Sequence, residues 1–145
     1  MQIKNARTER VIASVVEVAH TRRSRRRGLL GRDSLDLSAA LVLSPCRAIH
    51  TAFMRFPIDV AFVDRDGLVT RIVCDLAPWR LAIEPRAHAV VECAGGSLRR
   101  RDVQLGDRLY LAAAGEGDSG ALGASWSARS ISLRMTASKP ACSGS

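Results

Sequence analysis

The chain has 145 residues, of which 47% are hydrophobic, and this is enough to bury the core of one globular domain. Lys and Arg number 22 against 14 Asp and Glu, and the resulting net charge of +8 favours an anionic partner. This composition excludes a long disordered chain, and no apolar run approaches the roughly 18 residues that a membrane-spanning helix needs. The first 20 residues mix both charge signs, unlike a secretory signal, so we predict a cytoplasmic location.

The first predicted elements are a strand and an arginine-rich helix. The run RVIASVVEV is rich in β-branched residues and predicts a strand over Arg10 to Val18. Thr21 can cap a helix over Arg22 to Leu30, which Gly28 and Gly31 end or interrupt. The helix is either a solvated surface helix or an anion-binding patch. The candidate anion-binding residues are Arg22, Arg23, Arg25, Arg26 and Arg27.

The middle of the chain predicts short strands and a hairpin. AALVLSP, from Ala39 to Pro45, is an apolar strand that ends at a proline, and Ala48 to Met54 is a second candidate strand. Residues 58–76 alternate around an Asp66-Gly67 pair, which is a strong two-residue turn signal. This pattern predicts a hairpin.

The next segment carries two prolines and two glycine-containing turns. Pro78 and Pro85 predict an extended loop over residues 77–87. His88 to Cys93 is apolar enough for a strand, and a helical turn with Ser97 as its cap is expected over residues 97–101. A last strand is predicted over Arg108 to Ala113.

These elements amount to about seven short strands and one or two short helices. We therefore predict an α+β, mainly-β fold built on a compact, antiparallel, partly closed sheet that resembles a barrel. Residues 1–113 form a single globular domain in this interpretation, and residues 114–145, rich in Gly, Ser and Ala, form a disordered tail. Trp126, Ile131 and Leu133 are the residues of the tail that could pack weakly or bind a partner.

Three segments form a composite pattern: RRRGLLGRDSL, MRFPIDVAFVDRDGLV and AVVECAGGSLRRRDVQLGDRL. In order and spacing, they resemble the domain-of-unknown-function family 192 of bacteria and archaea. The matching positions are Gly28, Leu29, Leu30, Arg32, Met54, Pro57, Ile58, Asp59, Phe62, Asp64, Glu92, Gly96, Gly106 and Asp107. The resemblance implies a compact, mainly-β domain over roughly residues 10 to 113, and it brings no activity, substrate or cofactor with it.

Asp59 and Glu92 are carboxylates that lie inside apolar strand sequences. A buried charge is costly unless it is satisfied, so Asp59 either accepts backbone N–H groups, pairs with Arg32 or Arg55, or serves a site where its pKa is raised. Glu92 precedes a glycine pair and could accept turn N–H groups or face a cleft. The residues of the candidate cleft are Asp59, His50, Met54, Arg32 and Glu92.

Cys46 and His50 are the candidates for a nucleophile and a base. Four residues along a strand separate two side chains by about 13 Å, which is too far for a thiolate–imidazole pair. Metal ligation together with Asp59 or His88 would need three or four converging ligands. The four cysteines, at positions 46, 74, 93 and 142, include no Cys-x-x-Cys pair. We therefore predict no catalytic residue, no metal and no cofactor.

The favoured function is a small non-enzymatic binding or accessory module. It would use a polar cleft near Asp59, with cationic flanks that attract an anionic ligand or nucleic acid, and act as a monomer. The alternative is a small hydrolase or metal-assisted enzyme that uses Asp59, His50 and either Cys46 or Glu92.

Overall fold

The structure is a computed structural model that describes residues 1–113 and Trp126. This part of the chain contains ten strands and two helices. The elements are β1 (Gln2–Asn5), β2 (Val11–Ala13), β3 (Val15–Ala19), α1 (Arg22–Arg27), β4 (Ala39–Leu43), β5 (Ala48–His50), β6 (Ile58–Val63), β7 (Val69–Leu76), β8 (Leu81–Ile83), β9 (Ala89–Ala94), α2 (Ser97–Arg100) and β10 (Leu109–Ala112).

A five-stranded sheet in the order β3-β4-β9-β6-β7 forms the centre of the domain. β3 and β4 are parallel and are joined by a crossover that contains α1, whereas the other neighbours are antiparallel. β6 and β9 are buried along their whole length, as their nearly uninterrupted apolar sequences indicate. The predicted hairpin is confirmed: it is β6 and β7, joined by a turn in which Gly67 has a φ of 84°.

The mainly-β class is confirmed, with the two helices α1 and α2 in the described residues. The partly closed, barrel-like sheet is not what the structure shows. The strands form three open sheets: the central one, a three-stranded sheet β10-β1-β2 and a two-stranded sheet β5-β8. The parallel β3–β4 pair also departs from the antiparallel prediction, because the helix after β3 returns the chain to the sheet in the same direction.

Several predicted boundaries differ from the structure. The strand predicted over residues 10–18 is divided at the exposed Ser14 into β2 and β3, and β1 was not predicted. The predicted loop of residues 77–87 contains β8, which pairs with β5. Gly96 rather than Ser97 is the N-cap of α2, and the buried Ser97 hydroxyl has no hydrogen-bond partner among the described residues.

The central sheet separates two apolar clusters, because successive side chains of a strand point to opposite faces. Val60 and Phe62 of β6 belong to one cluster, and Ala61 and Val63 belong to the other. The first of these clusters also contains Leu29, so the segment that follows α1 covers that face. The second cluster packs between the central sheet and the three-stranded sheet.

Trp126 lies in this second cluster and is fully buried. Its indole Nε1 donates a hydrogen bond of 2.8 Å to the Leu109 carbonyl, and its backbone N–H donates one of 3.0 Å to the Arg65 carbonyl. A Cβ atom on Gly67 would lie 2.5 Å from Nε1, so the absence of a side chain there makes room for the ring. The rest of the predicted tail, including Ile131 and Leu133, lies outside the described residues.

Candidate functional site

Local sequence signals determine where α1 begins and ends. The Thr21 hydroxyl accepts a 3.0 Å hydrogen bond from the Ser24 N–H, and the Ser24 hydroxyl accepts one of 3.0 Å from the Thr21 N–H. Gly28, with a φ of 45°, ends the helix. None of the helix residues is buried, so it is the buried Leu29 that holds this segment against the sheet. The arginines of α1 are therefore presented at the surface above one face of the sheet.

A cavity of about 340 Å³ lies between α1, β5 and β9, and we call it the Glu92 cavity. Its walls combine four arginines, a buried acid, a thiol, an imidazole and apolar side chains. The lining residues are Arg22, Arg25, Arg26, Arg27, Gly28, Leu29, Leu30, Leu43, Cys46, Ala48, Ile49, His50, Met54 and Glu92. Four of the five predicted anion-binding arginines thus line one cavity, and Arg23 does not.

Glu92 is the buried polar group of this cavity. Its side chain is 4% exposed, and its Oε2 atom has no hydrogen-bond partner among the described residues. Burial raises the pKa of its carboxyl from 4.5 to about 7, against the opposing effect of the Arg32 charge. The group therefore exchanges its proton near neutral pH, and in its neutral form it can donate a hydrogen bond into the cavity.

Arg32 forms an ion pair with Glu17 rather than with Glu92. Its guanidinium donates two hydrogen bonds to the Glu17 carboxylate, at 2.6 and 3.2 Å, and this pairing lowers the pKa of Glu17. Both residues line a neighbouring cavity of about 450 Å³, which shares Arg27, Gly28 and Leu30 with the Glu92 cavity. Arg32 influences Glu92 through its charge rather than through a hydrogen bond.

Asp59 lies on the opposite face of the central sheet. In the β6–β9 register Asp59 is opposite Cys93 and Val60 is opposite Glu92, so the two acids are one position apart and point to different faces. Both Asp59 oxygens accept backbone hydrogen bonds of 2.9 Å, one from the Asp75 N–H and the other from the Leu98 N–H. Its carboxylate therefore ties β7 and α2 to β6.

His50, Met54 and Cys46 line the Glu92 cavity together. The Cys46 thiol donates a hydrogen bond of 3.1 Å to the Ala48 carbonyl, and burial raises its pKa. The thiol is thus kept protonated and does not offer a thiolate nucleophile at neutral pH. Within residues 1–113 and Trp126, no three or more His, Cys, Asp or Glu side chains are grouped to hold a metal ion.

The model of the domain-of-unknown-function family 192, described as "Uncharacterized ACR", matches residues 2–111. The chain belongs to this family. Both helices that the structure describes are too short and polar to span a membrane. No curated protein matches the chain.

Two solved structures share the fold of this member of family 192. One is a protein of unknown function from Novosphingobium aromaticivorans DSM 12444, with a TM-score of 0.62 and 23% identity over 66% of this chain and 74% of that chain. The other is a proposed transcription regulator from Sinorhizobium meliloti 1021, with a TM-score of 0.66 and 22% identity over 74% of this chain and 88% of that chain.

Every residue that lines the Glu92 cavity falls inside the part of the chain that matches family 192, and Trp126 falls outside it. The apolar walls at Leu43 and Ile49 were not predicted as site residues, because apolar strand sequences do not reveal which side chains border a cavity. Glu92 carried the useful signal: an acid inside the apolar run AVVECA requires an explanation.

Proposed function

We propose that this domain is a non-enzymatic binding module for a small anionic ligand, held in the Glu92 cavity. The observation that carries the proposal is the convergence of four α1 arginines over a cavity that contains the buried Glu92 carboxyl group, whose Oε2 atom has no hydrogen-bond partner among the described residues. The volume of about 340 Å³ is in the range of small-molecule sites.

The arginines are available to a ligand. Among the described residues, the side chains of Arg22, Arg26 and Arg27 make no hydrogen bond or ion pair, whereas Arg25 donates to the His20 carbonyl. A guanidinium offers paired N–H donors that match carboxylate and phosphate oxygens. An anion at the mouth of the cavity would therefore replace water on three free guanidinium groups.

Glu92 supplies the matching donor at the buried end. A buried polar atom without a hydrogen bond costs about 1–3 kcal/mol. A ligand oxygen that accepts from the neutral Glu92 carboxyl removes that cost, and a negatively charged ligand stabilises the neutral form. This arrangement favours a small anion over a nucleic-acid backbone, because only the exposed arginines could reach the latter.

The experiment is a thermal-shift series with inorganic phosphate, pyrophosphate, short carboxylates and a short oligonucleotide. A small anion at a hundred times its dissociation constant should stabilise the wild-type chain by about 2.7 kcal/mol. The variant Arg26→Ala should lose most of this effect.

Arg23→Ala is the matched control, because Arg23 belongs to the same helix and does not line the cavity. This variant should retain the response to the small anion. Equal losses in the two variants would contradict the proposal, since they would indicate a general charge effect. A thermal shift with the oligonucleotide and with none of the small anions would also contradict the proposal.

A further inference from the structure

Four large apolar side chains are exposed on β8 and on the two loops next to it. Phe53 is 72% exposed, Trp79 60%, Leu81 64% and Ile83 48%, and we call these four residues the apolar patch. Single exposed apolar residues are ordinary on a soluble protein, whereas a group of them marks a binding surface. The patch lies on β8 and on the two loops next to the β5–β8 sheet.

The register of β5 and β8 joins this patch to the cavity. His50 is directly opposite Leu81, and Ala48 is directly opposite Ile83. Residues that are directly opposite in an antiparallel pair share a face, with Cβ atoms about 5 Å apart. His50 and Ala48 line the cavity, so Leu81 and Ile83 lie one strand away from its rim.

The two aromatic residues of the patch are held in an unusual conformation. Phe53 and Trp79 have φ angles of 62° and 63°, in the left-handed region that aromatic residues rarely adopt. Their rings pack edge to face with centroids 4.5 Å apart. Strained backbone of this kind persists only where the surrounding structure enforces it, and it is concentrated at functional sites.

Hydrogen bonds of Thr51 hold the backbone around Phe53 and Trp79 in this conformation. The Thr51 carbonyl accepts hydrogen bonds from the Met54 N–H at 3.1 Å and the Trp79 N–H at 3.0 Å. Its hydroxyl donates to the Ala77 carbonyl at 2.7 Å and accepts from the Arg80 N–H at 2.8 Å. The fully buried Thr51 thus ties both loops together and keeps the two rings in solvent.

We propose that the ligand is a free anionic amphiphile, an inference that rests on the proposed function of the Glu92 cavity. Its charged phosphate or carboxylate head lies between the α1 arginines and Glu92, and its apolar chain lies across the apolar patch. A second copy of this chain would fit less well, because it would bring the same net charge of +8 to a cationic surface.

Methyl, butyl, hexyl and octyl phosphate and the alkyl carboxylates of the same chain lengths, each used below its micelle concentration, test this inference on the full chain. Affinity measured by calorimetry should rise with chain length by about twofold to fourfold for each added methylene that is buried. The emission of the exposed Trp79 should shift to shorter wavelength, whereas the buried Trp126 should contribute no change.

Leu81→Asn and Trp79→Ala should bind methyl phosphate with wild-type affinity and lose the dependence on chain length. The matched control is Leu105→Asn, because Leu105 is 66% exposed and lies outside the patch. It should behave like the wild type. An equal loss in this control would overturn the inference, since it would indicate detergent-like adsorption.

The other outcomes separate the two proposals. If methyl phosphate binds and the longer alkyl phosphates bind with no higher affinity, the amphiphile is overturned and the anion-binding function stands. If neither the alkyl phosphates nor the alkyl carboxylates of the same chain lengths bind, both proposals are overturned. Tighter binding of a nucleoside monophosphate than of octyl phosphate, or binding only to vesicles of anionic phospholipid, overturns the free amphiphile.

Discussion

Glu92 and Asp59 are buried acids on neighbouring strands, and their surroundings give them different roles. Asp59 accepts two backbone N–H groups, so its charge is satisfied within the fold. Glu92 Oε2 has no such partner among the described residues, and burial raises the pKa of its carboxyl to about 7. A group left in this state costs stability, which is expected where a side chain serves a ligand rather than the core.

The pKa of Glu92 predicts a specific dependence of stability on pH. Its folded value of about 7 exceeds the ordinary value of 4.5, so the native state binds more protons between these two pH values. The free energy of unfolding should therefore fall as pH rises through this window and level off above it. Glu92→Gln should remove that fall and be more stable than the wild type at pH 8 by up to about 3 kcal/mol.

Urea denaturation of both proteins at pH 4, 6 and 8 provides the measurement. The difference between the two curves is the relevant quantity, because the other carboxylates titrate equally in both. Parallel pH profiles for the wild type and Glu92→Gln would show that Glu92 ionises normally.

Several elements were predicted from local signals, and others depended on distant partners. Thr21 and Gly28, which adjoin α1 in the sequence, indicate where the helix begins and ends. Asp66-Gly67 likewise indicates the turn between β6 and β7. β8 has only three residues and lies between two prolines, so its pairing with β5 could not be read locally. The parallel β3–β4 pair was missed for the same reason, because strand pairing depends on how distant segments pack together in the whole sheet.

Asp59 couples three elements, which predicts the effect of removing its charge. Asp59→Asn keeps one acceptor oxygen and places an amide N–H₂ against a backbone donor, Asp75 N–H or Leu98 N–H. One buried donor is then unsatisfied, so unfolding should become easier by about 1–3 kcal/mol. Binding of the anion identified in the thermal-shift series should be unchanged in calorimetry, because Asp59 does not line the Glu92 cavity.

Asp33→Asn is a suitable control, because Asp33 forms an exposed ion pair with Arg55, and such pairs contribute little. A loss of anion affinity in Asp59→Asn without a loss of stability would place Asp59 at the ligand and contradict this assignment.

The folded core of the domain extends beyond the part of the chain that matches family 192. The match ends at residue 111, yet the Trp126 ring is fully buried, and its indole N–H donates a hydrogen bond to the Leu109 carbonyl. Gly67 leaves the space that the ring fills. Trp126, for which the sequence predicted either weak packing or binding of a partner, is thus part of the core.

Trp126→Gly should therefore destabilise the chain by about 3–5 kcal/mol and leave an indole-shaped cavity. Free indole should restore part of the loss, because the cavity is apolar and keeps the Leu109 carbonyl as an acceptor. Thermal melts with and without indole measure both effects. The wild type should not respond to indole, since its own ring fills the space, and a variant that melts like the wild type would contradict the role of Trp126.

Sequence patterns alone predicted the mainly-β class, the capped arginine helix, the β6–β7 hairpin and the family. These features depend on residues that are close along the chain, where turn chemistry and side-chain alternation act directly. Three features became visible in the folded structure: Asp59 and Glu92 face opposite ways, Trp126 enters the core, and α1 lies over Glu92. Those outcomes depend on strand register and on packing between distant segments, and a shift of one residue in register would exchange the faces of the two acids.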